Sequence, residues 1–402
     1  MKNLFALLIF LSFSIHSNGQ IQLNNDEFDS AATLSNWSNI TDVEGWNAEH
    51  LRMFNINTTS TDKLYMRPWT TSWFGNWRGP LLFKNITGDF SFTTQVSVTD
   101  SIGTGLPSSN YSLAGIMIRE STGLTNGSTG WVPGQEDFIF LSLGYASETH
   151  SSLPVIPTPP PHLEIKSTNN SSSSLQVSGI STASDVQIRI NRIGPYIICM
   201  YKEPGNTWVI RNRYNRTDFP PELQVGFVTY TDWPKLSTYT PAFANDNLLN
   251  SSLNPDPSSN PNLPFTPDLI AEFEFARFDS IVVPSALAGL DLSNPTIVSD
   301  SILLDFLGFP SQPYIPNNIQ YVTEDTSVDI YTDHENEFIN ITGMLSSYTI
   351  TLRDEFDNII ETLISTSPVL TVDTSELPNG VVILRLEHLN NSNLNVSRII
   401  QE

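Results

Sequence analysis

Residues 69–78 place Trp69, Trp73, Trp77 and Arg78 among Thr, Ser, Gly and Asn. An indole stacks on the C–H face of a flat polar ring while neighbouring side chains bond its hydroxyls, so this composition suits recognition of a saccharide. Two further stretches join a tryptophan to an acid: Trp131-Val-Pro-Gly-Gln-Glu136 and Tyr230-Thr-Asp-Trp233. Arg119 ends an apolar run and Glu136 begins another, so the two can pair across neighbouring strands or face a ligand. The candidate binding set is therefore Trp69, Trp73, Trp77, Arg78, Arg119, Trp131, Glu136, Tyr230, Asp232 and Trp233, expected to converge on one concave face. Core or corner packing is the alternative for each tryptophan, a residue that is highly buried on average.

If the chain is an enzyme, the expected reaction is glycosidase-type hydrolysis, and Glu136 and Asp232 are the first acids to test. The signatures of a serine-hydrolase elbow, a zinc protease helix, a phosphate loop and a dinucleotide fold are all missing from the sequence. Asp26 and Asp29 near the start and Asp279 at the end of the last long run could gather oxygen ligands. Calcium is the natural guest for such a set, and solvated turn acids are the alternative reading.

Residues 1–20 carry an early Lys2, an apolar run over 4–11 and a small polar end, the pattern of a secretory signal peptide. The expected location is outside the cell or on its surface, with no transmembrane segment. Cys199 is the single cysteine, so a disulfide within the chain is impossible. Flanked by Ile197, Ile198 and Met200, it reads as a buried strand residue and not a nucleophile. The net charge of -23 repels polyanions, which argues against nucleic acid and leaves neutral glycans or divalent cations as partners.

The elements that must position these residues are strands. Between residues 21 and 309 short alternating or apolar runs recur between Gly, Pro, Asn and Ser, giving eleven expected strands, no convincing helix and an all-β sandwich. The proline-rich 153–162 reads as a stiff surface loop and 245–267 as a mobile one. Residues 310–320 read as a linker, and seven short runs over 321–402 predict a second, smaller Ig-like β-sandwich.

The first region resembles secreted bacterial domains with the concanavalin-A-like jelly roll, the fold of many lectins, laminarinase-type glucanases and β-xylosidase accessory domains. The resemblance rests on Asp26-Glu-Phe-Asp29, residues 69–90, Ala114-Gly-Ile-Met-Ile-Arg119, Trp131 to Glu136, residues 223–233 and residues 268–279. A laminarinase-type enzyme would carry Glu-x-Asp-x-x-Glu on one strand. Here Glu27-Phe-Asp29 and Glu355-Phe-Asp357 are followed by Ala32 and Ile360 at the third position, so the motif is absent. The second region resembles the sorting domain of the type IX secretion system of Bacteroidetes, on Val328-Asp-Ile-Tyr331, Phe338 to Gly343, Tyr348 to Leu352, Leu377-Pro-Asn-Gly-Val381 and Ser397-Arg-Ile-Ile400. It departs from that pattern at Thr332-Asp333-His334, where Pro-Asn-Pro is usual, and at its acidic Gln401-Glu402 end. These resemblances imply a glycan or polysaccharide partner and the type IX secretion machinery as a second one. The leading expectation is a secreted, non-catalytic carbohydrate-binding or surface-interaction protein. A secreted glycoside hydrolase is the rival, and a purely structural surface protein the third possibility.

Overall fold

The computed structural model describes residues 19–146, 161–250, 265–281, 283–311 and, from 320 to 401, a set of strands. The expected signal segment up to residue 18, residues 153–160 of the proline-rich loop, residues 251–264 and the linker over 312–319 lie outside the described residues. The chain divides into two compact units, one spanning Ile21–Tyr314 and the other holding Ile315–Glu402.

The larger unit is a sandwich of two antiparallel sheets of jelly-roll type. One sheet has seven strands in the order Ser38–Asn39, Leu81–Thr87, Glu222–Tyr230, Ser112–Arg119, Phe138–Tyr145, His162–Asn169 and Ser172–Gly179. The other runs Val209–Asn215, Tyr196–Lys202, Val186–Ile193, Phe90–Thr99, Ile270–Phe273, Leu64–Pro68 and Leu51–Ile56, with Arg277–Asp279 as an eighth strand beside Phe90–Thr99. Alternation explains the inner core, because every second residue of a strand points to the same side. Val186, Ile188 and Ile190 from one sheet and Ile116, Ile118, Ile139 and Leu141 from the other are fully buried together. Phe92 stacks on Phe278 at 4.5 Å, and Phe227 meets Phe273 at 4.6 Å.

Several strands are apolar on both sides, and a second layer covers part of each outer face. Leu113, Met117, Phe138, Phe140, Val228 and Tyr230 point away from the inner core and are buried under Ile40 and Trp73. On the opposite face Ile198, Met200 and Trp208 lie under Leu287, Leu292, Val298, Leu303 and Leu307. The last two belong to a helix, Asp300–Leu307, capped by the Ser299 hydroxyl accepting from the Ile302 amide. Arg189 donates to Leu307 O at 2.6 Å, and Arg213 donates to Val298 O at 2.6 Å and pairs with Asp300. This helix corrects the expectation that the first region has none. It is only 8 residues long, too few for its period to stand out in sequence.

Three strands escape the sequence reading, Ser38–Asn39, Leu51–Ile56 and Ser172–Gly179, and each lies at an edge of its sheet. An edge strand packs less surface, so LRMFNI lacks clean alternation and SSSLQVSG is half serine. The expected single run over 269–279 is divided between Ile270–Phe273 and Arg277–Asp279. The expected mobile loop over 245–267 needs correction at both described ends. Asn245 is fully buried, its Oδ1 accepting from the Arg78 amide and its Nδ2 donating to Asn76 O, and Phe265 packs beside Tyr239. Only glycine fits at Gly226, where a Cβ would sit 1.9 Å from Leu82 O on the neighbouring strand.

Cys199 is fully buried in the inner core, and burial pushes its thiol far above the ordinary range. A thiol reagent is expected to leave the native protein unlabelled and to titrate one group in denaturant. Rapid labelling without denaturant would contradict the packing of the Tyr196–Lys202 strand.

The smaller unit pairs a five-stranded sheet, ordered Gln320–Val322, Leu394–Gln401, Gly380–His388, Tyr348–Arg353 and Ile359–Ser365, with a three-stranded sheet of Asp329–Asp333, Phe338–Thr342 and Val369–Asp373. Ile341, Ile350, Leu352, Val372 and Leu384 are buried, as alternation requires of a small sandwich. No helix among the described residues is long and apolar enough to cross a membrane.

Candidate functional site

The tryptophan-rich segment does not lie open on the sheet. Trp73 is fully buried: its Nε1 donates to Pro80 O at 3.0 Å and its ring meets Phe138 edge-on at 5.4 Å. Lys166, itself buried, donates to Trp73 O and pairs with Glu164, each at 2.8 Å. The Lys166 ammonium is also within 5.4 Å of the centroids of Phe74, Phe140 and Tyr230. Burial pulls its pKa down while Glu164 pulls the other way. Tyr230 is fully buried here and bonds Ser142 at 2.7 Å, so neither Trp73 nor Tyr230 reaches a ligand.

Arg119 and Glu136 also leave the binding set, because each satisfies the other. Arg119 donates to both Glu136 oxygens at 2.8 and 3.0 Å and to Gln224 at 2.7 Å, and meets Glu44 at 2.8 Å. Glu44 in turn accepts from Trp46 Nε1 at 2.7 Å and lies 3.9 Å from the buried Arg78. The Arg78 guanidinium lies over the Trp46 ring, 4.5 Å from its centroid, and donates no side-chain hydrogen bond among the described residues. Burial lowers its pKa to about 10 against the pull of Glu44. Arg78 therefore belongs to the interior and not to a polar rim.

The remaining tryptophans occupy three places. Trp131 is half-buried against Trp46, with ring centroids 6.4 Å apart. Trp77 and Trp233 are half-buried against each other at 5.2 Å, with Phe74 at 5.2 Å from Trp233. Trp69 alone of the set shares a cleft with Asp232.

That cleft, of about 850 Å³, lies at one end of the sandwich. Its walls are strand ends and the segments leaving them: Arg52, Arg67 and Trp69, residues 100–102 and 108–110, Tyr145, Asp232 with Lys235, and residues 265–268. Antiparallel pairing brings them together, since Tyr230 stands opposite Leu113 and Tyr145 opposite Ser112 in adjacent strands. Asp232 adopts a left-handed conformation, φ 66°. It accepts from Thr70 Oγ1 at 2.8 Å, Ser109 Oγ at 3.0 Å and the Thr266 amide at 2.8 Å, joining three loops. Asp268 accepts from the Ser101 and Ser108 amides, both at 2.7 Å, and from Ser108 Oγ at 2.8 Å. Burial raises the Asp268 pKa, but these donors outweigh it and the net shift is downward. Asp100 accepts from the amides of Ile102 and Thr104, and the Thr104 amide leads in lowering its pKa.

The cations of the cleft are less occupied. Arg67 donates to Ser101 O at 3.2 Å, and Lys235 to Thr266 Oγ1 at 2.8 Å. Arg52 is exposed, lies 4.9 Å from the centroid of the Trp69 ring and makes no hydrogen bond or ion pair among the described residues. Of the residues singled out in the sequence, only Trp69 and Asp232 are here. Arg52, Arg67 and Tyr145 come from separate strands and Lys235 from the short helix Trp233–Leu236, so they carry no shared local pattern.

The expected calcium set does not assemble. Asp26 Oδ1 accepts from the Phe28 amide and Thr33 at 3.0 Å each, and Oδ2 from Trp37 Nε1 at 2.9 Å. Asp29 is exposed, Asp279 is buried beside Ser91, and no three His, Cys, Asp or Glu among the described residues are grouped to hold a metal ion.

No family model matches the chain, and no curated protein matches it. Among solved structures it is similar to a functionally unknown protein from Saccharomyces cerevisiae, at 12% identity and TM-score 0.38, covering 62% of this chain and 99% of that one. It is similar to the GH43 BlXynB protein of Bacillus licheniformis at 11% identity and TM-score 0.41, covering 64% of this chain and 39% of that one. A lectin from Bauhinia forficata in complex with GalNAc matches at 10% identity and TM-score 0.31, over 55% of this chain and 82% of the lectin. The chain thus spans about 39% of the length of the GH43 protein it matches.

Proposed function

We propose that this is a secreted, non-catalytic carbohydrate-binding protein that takes a glycan into the strand-end cleft. One observation carries the reading: an aromatic wall of Trp69 and Tyr145 adjoins Arg52, Arg67, Lys235 and the 100–110 loop in a cleft of about 850 Å³. That volume lies within the range of small-ligand sites, and the lining offers rings for a sugar's C–H face and donors for its hydroxyls. The non-catalytic part of the reading is supported by the carboxylates. A glycosidase needs one carboxyl kept protonated as general acid and a second free for attack or water activation. Asp100 and Asp268 are instead held below their ordinary pKa, and Asp232 is committed to three loops. We assign the smaller sandwich a sorting role with the type IX machinery, supported by its sequence resemblance alone, and the export signal to residues 1–20.

The test is a titration against a panel of soluble polysaccharides, read by calorimetry and tryptophan fluorescence. Trp69→Ala should weaken the best ligand by about thirtyfold in a protein that stays folded at the assay temperature, as removal of a central aromatic contact does. If no polysaccharide binds, or if the substitution leaves affinity unchanged, the reading falls.

A further inference from the structure

The cleft contains three carboxylates and three cations, and they are not in equivalent states. Asp100, Asp232 and Asp268 accept from backbone amides and hydroxyls within the fold, so their acceptor capacity is turned into the protein. Arg52, by contrast, keeps its guanidinium hydrogens free of the described residues while resting on the Trp69 ring. With its central carbon 4.9 Å from the Trp69 ring centroid, the guanidinium is held beside the indole by cation–π attraction while its planar set of N–H donors stays available to the cleft. That is a fork prepared for a planar, two-oxygen acceptor. Arg67 spends one nitrogen on Ser101 O and stands in the same wall.

We propose that the cleft selects a glycan bearing carboxylate groups, a polyuronate, whose carboxylate is held by the Arg52 fork with Arg67 beside it. This rests on the carbohydrate-binding reading and adds the substrate class. The net charge of -23 opposes such a partner only at long range. Fields between exposed charges are screened beyond roughly 8 Å at physiological ionic strength, whereas a guanidinium–carboxylate contact is formed well inside that distance. A neutral sugar would leave the fork's donors to water and gain little from it.

The experiment compares polygalacturonate with the same polymer after its carboxyls are reduced to alcohols, at equal ionic strength, against the full chain. The acid form should bind about tenfold or more tightly than the reduced form. Arg52→Gln should remove that preference, bringing affinity for the acid form down to that for the reduced form, with a smaller loss on the reduced polymer, whose hydroxyls lose one donor. The variant's melting temperature should change little, since Arg52 is exposed and makes no hydrogen bond or ion pair among the described residues. Arg52→Lys, which keeps the charge and loses the fork, should recover only part of the preference. Equal affinity for the two polymers, or a preference that survives Arg52→Gln, overturns the inference while leaving glycan binding intact. Tighter binding of a sulfated polymer than of polygalacturonate at matched charge density also overturns it. Binding to no polymer of any kind, neutral ones included, removes the underlying reading instead.

Discussion

Arg119→Leu is expected to lower the unfolding free energy of the larger unit by about 3–5 kcal/mol, the range for breaking a buried ion pair from one side. Arg119 has no exposed side-chain surface, and Glu136 and Glu44 keep only 3% of theirs. Solvent therefore screens little of the loss. Removing the guanidinium leaves two carboxylates and Gln224 facing one another under Trp46 without their shared donor. The measurement is the denaturant midpoint followed by tryptophan fluorescence. Glu136→Leu added to Arg119→Leu should recover part of the loss, because it removes one stranded charge. A single-variant loss below about 1 kcal/mol would mean that water reaches the cluster and that it is not an interior one.

Acid should unfold the larger unit through His50 well before ordinary carboxylate titration completes the process. Burial, followed by the nearby Arg78 charge, lowers the pKa of His50 to about 3 from 6.5. Between those values the unfolded chain binds a proton that the native fold refuses. The stability tied to neutral His50 is therefore whole above pH 6.5 and is lost progressively as pH falls toward 3. Each pKa unit is worth about 1.4 kcal/mol, so the total approaches about 5 kcal/mol. His50 Nδ1 contacts Thr71 Oγ1 at 3.2 Å, a contact that Gln can imitate. Stability of the wild type and His50→Gln should be compared at pH 7, 5.5 and 4.5. The gap between them should change in favour of the variant as the solution is acidified, and parallel curves would remove His50 from the account.

The framework was legible because two-residue alternation survives in individual strands. Asp185 to Ile193 announces its buried parity with Val186, Ile188 and Ile190, and the structure places those residues in the inner core. The outer layers were harder to read, for a physical reason visible in His162–Asn169. Leu163 and Ile165 alternate there with His162, Glu164 and Lys166, the usual signature of one wet face. The structure buries both sets, because Trp73 O, more than ninety positions earlier in the chain, supplies the acceptor that lets an ammonium remain inside. Alternation reports which side of a strand is apolar and is silent on whether a distant segment covers the other side. A counter-signal did exist in Ser112–Arg119, whose eight residues are all buried, since apolar character on both parities requires cover on both.

The candidate site shows the same limit. Dense tryptophan suggested one exposed platform, but indoles are mostly hydrocarbon and the sheet face beneath them is apolar, so Trp73 serves as packing and only Trp69 reaches the cleft. Arg52 could not be singled out, because its significance comes from a partner 17 positions away across the Leu51–Pro68 pairing.

Part of the outer face of the seven-stranded sheet lies under Ile40 and Trp73, and part of the other lies under the Asp300–Leu307 helix, while Trp69 and Arg52 stand at the strand-end rim. A glycan held at that rim, as proposed, would meet the protein at a chain terminus or a side branch. The protein would then count tips and branch points on a polymer instead of gripping its length.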